Sequence, residues 1–201
     1  MDDVVVITEA GGDVGLGHLT RCMAISDSAK GSLLIHKKGV YLNDAKTHEE
    51  PWIDRKQVVL DIFGGNISLL IDSYLAPPEL YTWFKRKVAF LGVIDDYNRI
   101  KYDADIIINP GLKVPDYRNQ VAPVFSGAEY VVLRNEIRMQ PPKQGYGKTS
   151  NLLFFFGGDD QQNMLKQLLP VAIDKGYEIT AIVCDESKQA QLLEFSNRSN
   201  L

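Results

Sequence analysis

Short apolar and β-branched runs recur along the chain, separated by amphipathic stretches and closed by glycine, proline or polar clusters. The first, VVVIT at 4–8, begins almost at residue one and leads into a glycine-rich loop at 11–17. Residues 19–29 follow with Leu19, Met23 and Ile25 among their apolar positions, a helical pattern. Strand, glycine loop and helix together open a parallel α/β sheet. LLI at 33–35 predicts a second strand, whereas 39–52 is polar and has no clear pattern. Residues 54–63 predict a helix stopped by Gly64 and Gly65. SLLID at 68–72 has the unbroken apolarity of a buried parallel strand. Pro77 and Pro78 open a helix that runs to about Lys85, because proline is tolerated in a first turn. VAFLGVI at 88–94 and DIIIN at 105–109 predict two further strands, and the apolar run YVVLR at 130–134 follows a polar loop.

The stretch RMQPPKQGYGKTSN, 138–151, is rich in proline, glycine and polar residues and reads as a linker. It separates a first α/β domain, 1–137, from a second unit, 152–201. There the pattern restarts with LLFFF at 152–156, GGDD at 157–160, a helix to about Lys175, ITAIV at 179–183 and a last helix from about Glu186. Two strands with one or two helices cannot cover both faces of a parallel sheet. The second unit is therefore expected to be the start of a longer domain, or to lean on the first domain or on another chain through its incomplete sheet.

Composition narrows the class. Charged residues make up 24% and the formal net charge is −4, with no dense basic block beyond FKRK at 84–87, so a nucleic-acid partner is not expected. No apolar run approaches the ~18 residues that span a bilayer, and the start MDDVVVI is unlike a leader peptide. Two distant cysteines, Cys22 and Cys184, form neither a disulfide framework nor a metal knuckle and fit a reducing cytoplasm. The spacing of His18, His36 and His48 matches no metal-ligand set, so no metal is expected.

Ligands of open parallel sheets lie outside the carboxyl ends of the strands, where loop 9–18 sits. Gly15 and Gly17 allow close backbone approach to a bulky group, or simply make a tight turn. GLGHLT departs from the dinucleotide fingerprint Gly-x-Gly-x-x-Gly, and the second strand ends in His36, Lys37 and Lys38 where NAD requires an acid. These departures set NAD aside and leave NADP as a minor alternative; no Lys-Ser/Thr pair follows the glycines, which excludes a Walker loop, and the expectation is no cofactor. His18 begins a helix, where the positive dipole end favours the neutral imidazole. It reads as a general base or as a residue that caps or packs. Asp72-Ser73-Tyr74, Asp95-Asp96-Tyr97 and Asn109 close successive strands. Asp72, Asp95 and Asn109 would then line one crevice suited to a ligand with several hydroxyls, although an isolated Asp at a strand end is also a common turn former. Asp95 and Asp96 are adjacent and should point to opposite sides. GGDD is compatible with an anion at a helix N-terminus, except that two carboxylates oppose it.

The stretch GLGHLTRCMAIS (15–26), with LLIDSY (69–74), VIDDY (93–97), ADIIINPG (104–111), GAEYVVLRNEI (127–137) and FFFGGDDQQN (154–163) in the same order, resembles the UDP-sugar hydrolases of pseudaminic acid biosynthesis. Spore-coat polysaccharide proteins and, at greater distance, other glycosyltransferase-B enzymes share that architecture. The resemblance implies a Rossmann-like N-terminal domain of glycosyltransferase-B type followed by an incomplete second Rossmann-like unit. It implies hydrolysis of a UDP-linked diacetamido-trideoxy sugar at C1, with inversion, and with no cofactor. His18 is the implied water-activating base and Tyr74 the implied functional tyrosine beside the sugar. Gly157, Gly158 and Asp160 match the nucleotide-binding loop. Ser73 stands where the family commonly has His, and Asp159 where it has Ser or Thr. The family's second domain continues beyond the point that Leu201 matches. A glycosyltransferase using a UDP-sugar donor is the first alternative, and a non-catalytic sugar-nucleotide-binding or interaction domain, self-associating through the second sheet, is the other.

Overall fold

The computed structural model describes residues 3–11, 14, 16–37, 47–141, 150–156 and 163–183. The chain divides into two compact units, Met1–Gln140 and Pro141–Leu201.

The first unit is built on a seven-stranded, all-parallel sheet in the order β3-β2-β1-β4-β5-β6-β7. Its strands are β1 (Asp3–Ala10), β2 (Ser32–Lys37), β3 (Thr47–Glu49), β4 (Ile67–Asp72), β5 (Phe90–Ile94), β6 (Ile106–Asn109) and β7 (Val124–Ser126). Helices α1 (Gly17–Ala29), α2 (Gln57–Phe63) and α3 (Pro78–Lys85) connect them, and a short α4 (Asn135–Arg138) follows the sheet. The architecture is the Rossmann-like α/β fold expected from the alternation of strands and helices.

Strand alternation divides the core into two layers. Val5 and Ile7 of β1, Leu69 and Ile71 of β4 and Leu91 and Val93 of β5 point to one face, where Val59 of α2 and Leu80, Tyr81 and Phe84 of α3 cover them. Val6 and Ala10 of β1 with Leu33 and Ile35 of β2 point to the other, under Leu19 and Cys22 of α1. On the α1 face Phe90 and Phe125 remain 37% and 41% exposed. α1 ends where Lys30 turns left-handed at φ 53°, and the following Gly31 passes so near β1 that an added Cβ would lie 2.3 Å from the Val4 carbonyl oxygen.

Three elements differ from the sequence pattern. The polar stretch 39–52 supplies β3 and the fully buried Trp52, whose indole N–H donates to the Thr8 carbonyl at 2.8 Å. Trp52, preceded by Glu49, Glu50 and Pro51, gives no periodic signal, so tertiary burial decides its place. α2 begins at Gln57, because Asp54 and Arg55 N–H groups close a turn on the Pro51 carbonyl. The run 130–134 forms no strand: Ala128–Tyr130 is a 3-10 turn, Val131 and Leu133 stay exposed, and the edge strand is Val124–Ser126.

The second unit pairs β8 (Asn151–Phe155) in parallel with β9 (Glu178–Ile182), joined through α5 (Met164–Asp174). Leu165, Leu169 and Ala172 of α5 are buried, while Leu153, Phe155 and Ile182 stay 64%, 59% and 49% exposed. The last helix expected from Glu186 lies outside the described residues. No described helix is long and apolar enough to cross a membrane.

Candidate functional site

The first sheet reverses its order at β1, with β2 and β3 on one side and β4 to β7 on the other. Such a switch point opens a crevice at the carboxyl ends of the two central strands, here β1 and β4. Side chains of α1, of the end of β4 and of the residues after β5 converge there.

Register explains which ones. Thr8, Asp72 and Ile94 are paired across β1, β4 and β5 and share the α1 face. Two residues beyond Ile94, Asp96 returns to that face, whereas Asp95 turns to the other. On the helix, His18 and Arg21 lie three apart and so project from one side of α1.

His18 Nδ1 lies 2.6 Å from Asp72 Oδ1, and the two side chains are only 6% and 1% exposed. A carboxylate can only accept, so the shared hydrogen lies on Nδ1 and the lone pair of the neutral ring on Nε2. Nε2 has no hydrogen-bond partner among the described residues. Arg21 Nη2 also lies 3.3 Å from Nδ1. Its two hydrogens are already given to Asp72 Oδ1 at 2.8 Å and Asp96 Oδ2 at 3.0 Å, so this contact adds no hydrogen bond to Nδ1, which carries its own hydrogen.

Arg21 forks both carboxylates. Nε and Nη2 donate to Asp72 at 2.8 Å each, and Nη1 donates to Asp96 Oδ1 at 2.8 Å. Charge-assisted bidentate pairing fixes direction as well as distance. Tyr74 closes the circuit: its hydroxyl donates to Asp96 Oδ2 at 2.8 Å, and its ring meets the His18 ring edge-on at a centroid distance of 4.1 Å and an angle of 87°. His18, Asp72, Arg21, Asp96 and Tyr74 thus form a closed ring of contacts.

The electrostatics follow from this geometry. Burial opposes the charge on Arg21, but Asp72 and Asp96 outweigh it and raise the guanidinium pKa further above its ordinary range. Burial would also raise Asp96, yet the hydrogen bonds and charge of Arg21, with the Tyr74 hydroxyl, hold it below the usual carboxylate value. Burial and then the bond to Asp96 push the Tyr74 phenol well up, so it remains a donor rather than a base. Cys22, whose thiol lies 3.4 Å from Asp72 Oδ2, is likewise raised by burial and by Asp72 and stays a thiol.

Neither a family model nor a curated protein matches the chain. The reading of the site therefore rests on its own geometry.

Of the residues singled out in the sequence, the structure brings together His18, Asp72 and Tyr74. Asp72 serves as the partner of His18 and Arg21. Asp95 and Asn109 stand apart from this ring of contacts and are engaged by the chain itself. Asp95, 2% exposed, accepts from the backbone N–H groups of Asn98 and Arg99 and from the Tyr102 and Tyr117 hydroxyls. Asn109 donates to the Asp96 carbonyl and the Tyr117 hydroxyl and accepts from Gly111 N–H. Both organise the helix-free connections after β5 and β6. Ser73 caps its own loop through the Leu75 and Ala76 N–H groups at 3.2 and 2.9 Å. At Gly17 an added Cβ would meet no atom of the described residues within 4 Å, so packing alone does not demand glycine there. Gly15, Gly157, Gly158 and Asp160 lie outside the described residues.

Arg21 and Asp96 are the members that motif reading left out. Arg21 reads as helix surface from sequence, yet it is the cation between two carboxylates. The strand parity that separates Asp95 from Asp96 was legible, but choosing the correct one of the two required the register of β4 against β5.

Proposed function

We propose that the chain carries the water-activating side of a nucleotide-sugar hydrolase, acting at C1 of a UDP-linked diacetamido-trideoxy sugar. The observation that carries this reading is the His18–Asp72 pair at the sheet's switch point, with Nε2 left as an acceptor. In the proposed reaction a water oxygen attacks C1 and gives its proton to His18 Nε2. The bond between C1 and the UDP oxygen breaks, and its electron pair leaves with UDP, which needs little protonation. Asp72 faces the nitrogen that keeps its hydrogen, orienting the ring and stabilising the imidazolium formed, as a carboxylate does behind a catalytic histidine. Tyr74 and His18 form one wall of the crevice. The phenol, already donating to Asp96, keeps lone pairs for a sugar N–H or O–H.

The two glycines before His18, and a Gly17 around which an added Cβ would meet no described atom within 4 Å, are consistent with a bulky ligand at this edge. The test is incubation of the intact protein with the UDP-linked sugar, with chromatographic measurement of UDP and sugar. Release of UDP and free sugar is expected, with a loss of about 10²–10⁴-fold in His18→Ala, the usual worth of a general base. Absence of UDP release, or equal rates in a folded His18→Ala, would refute the assignment. A glycoside in place of free sugar would make the protein a transferase.

A further inference from the structure

Glu9 closes β1 in phase with Val5 and Ile7, on the sheet face opposite His18 and Asp72, and it is 1% exposed. A carboxyl buried this deeply is costly unless hydrogen-bonded. Its Oε1 accepts the backbone N–H groups of Tyr74 and Leu75, while Oε2 has no partner among the described residues. From the other side, Arg99 Nη2 donates to the carbonyls of Ala76 at 2.8 Å and Ser73 at 3.4 Å, and to the Tyr81 hydroxyl at 3.2 Å. Arg99 Nε is likewise buried without a partner.

Loop 73–76 therefore gives its N–H groups to a buried acid and its carbonyls to a buried base. Ser73 Oγ already satisfies part of the same turn with a neutral group. Two ionisable side chains, each with a buried atom that has no partner among the described residues, are more than a turn requires for its own closure. What the loop carries is Tyr74, whose ring lies against His18 and whose hydroxyl meets Asp96. Small displacements of such a residue matter, since a misplacement of about 1 Å can cost ~10²-fold in rate.

We propose that Glu9 and Arg99 are positioning residues: together they clamp loop 73–76 from its two sides and so set Tyr74 against His18 and Asp96. That this placement serves turnover rests on the hydrolase reading above, but the placement itself is measurable without it. The experiment is NMR of the His18 ring protons and of the Tyr74–His18 cross-relaxation in Glu9→Ala, Glu9→Gln and Arg99→Met, with Tyr74→Leu as the reference lacking the aromatic ring. Circular dichroism checks folding. Glu9→Ala and Arg99→Met are expected to move the His18 resonances toward their Tyr74→Leu positions and to lose the cross-peak. Glu9→Gln keeps an acceptor oxygen and is expected to retain both. In the hydrolase assay the first two should lower kcat more than they change KM. If no substrate is turned over, the hydrolase reading fails while the NMR result still decides the clamp. A folded Glu9→Ala with wild-type His18 resonances, or a Glu9→Gln that loses them as fully as Glu9→Ala, would overturn the proposal. Failure of both Glu9→Ala and Arg99→Met to fold would assign the pair to global stability and overturn it as well.

Discussion

At the scale of the residue, the centre of the molecule is an arrangement of charge in which Arg21 offsets one of two carboxylates. Removing the guanidinium leaves Asp72 and Asp96 close together with no cation between their forks. Arg21→Met is expected to destabilise the fold by about 3–5 kcal/mol, the usual cost of breaking a buried pair, measured by urea denaturation. A loss below ~1 kcal/mol would mean the pair behaves as an exposed surface bridge. Arg21→Lys should restore the stability only in part, because an ammonium cannot fork two carboxylates. The tautomer of His18 is a second residue-scale prediction. Long-range ¹H–¹⁵N correlation of the neutral ring should show hydrogen on Nδ1 and none on Nε2. Asp72→Asn can present its amide N–H to Nδ1 and should invert that assignment, with loss of any turnover. The identity of these partners was only partly visible in the sequence. His18 and Tyr74 could be named from their motifs, but Arg21 sits on a helix whose polar side looks solvated until β4 and β5 are placed beside it.

At the scale of the element, strands set the face of each residue and connections set its reach. β4 ends on Asp72 toward α1, and the chain after β5 presents Asp95 to one layer and Asp96 to the other. The connections after β5 and β6 lack helices, and a buried carboxylate with tyrosine hydroxyls takes their place in holding backbone. Burial is the leading cause that raises the phenol pKa of Tyr74, Tyr81, Tyr102 and Tyr117. In the unfolded chain such phenols ionise near pH ~10. The folded state keeps their protons to higher pH, so this contribution is whole below about pH 10 and is lost as pH rises above it. Tyrosinate absorbance should therefore appear together with loss of circular dichroism in alkaline titration. Ionisation of these four side chains near pH ~10 in a still folded protein would contradict the partial desolvation and hydrogen bonding of their hydroxyls. The longer strands and α1 to α3 were legible because each carries an unbroken apolar run or an amphipathic period. The edge strand Val124–Ser126 and the three-residue β3 were not, since so short a run has no period and is fixed by pairing with its neighbour.

At the scale of the whole molecule, the layer of the first unit under α2 and α3 holds the larger buried cluster, and the layer under α1 holds the site. Phe84→Ala, in the layer under α3, is expected to cost about 3–5 kcal/mol while leaving the His18–Asp72 pair intact. Acid works on the other layer. Asp96 is held below the usual carboxylate value, so its contribution is present above about pH 4 and is lost as pH falls below it. The order of strands and helices, and hence the parallel α/β fold, could be read along the chain because each unit's local pattern agrees with its place. The convergence at the crevice could not, because it depends on where the sheet reverses its order. The proposed chemistry has one consequence that distinguishes it from attack at phosphorus. In ¹⁸O-water, with the UDP-linked diacetamido sugar as substrate, NMR and mass spectrometry would follow the first product formed. Attack at C1 by water under His18 predicts ¹⁸O in the free sugar, unlabelled UDP, and a sugar first released as the anomer opposite to the substrate's. Label in UDP, or a sugar released with the substrate's own anomeric configuration, would contradict it.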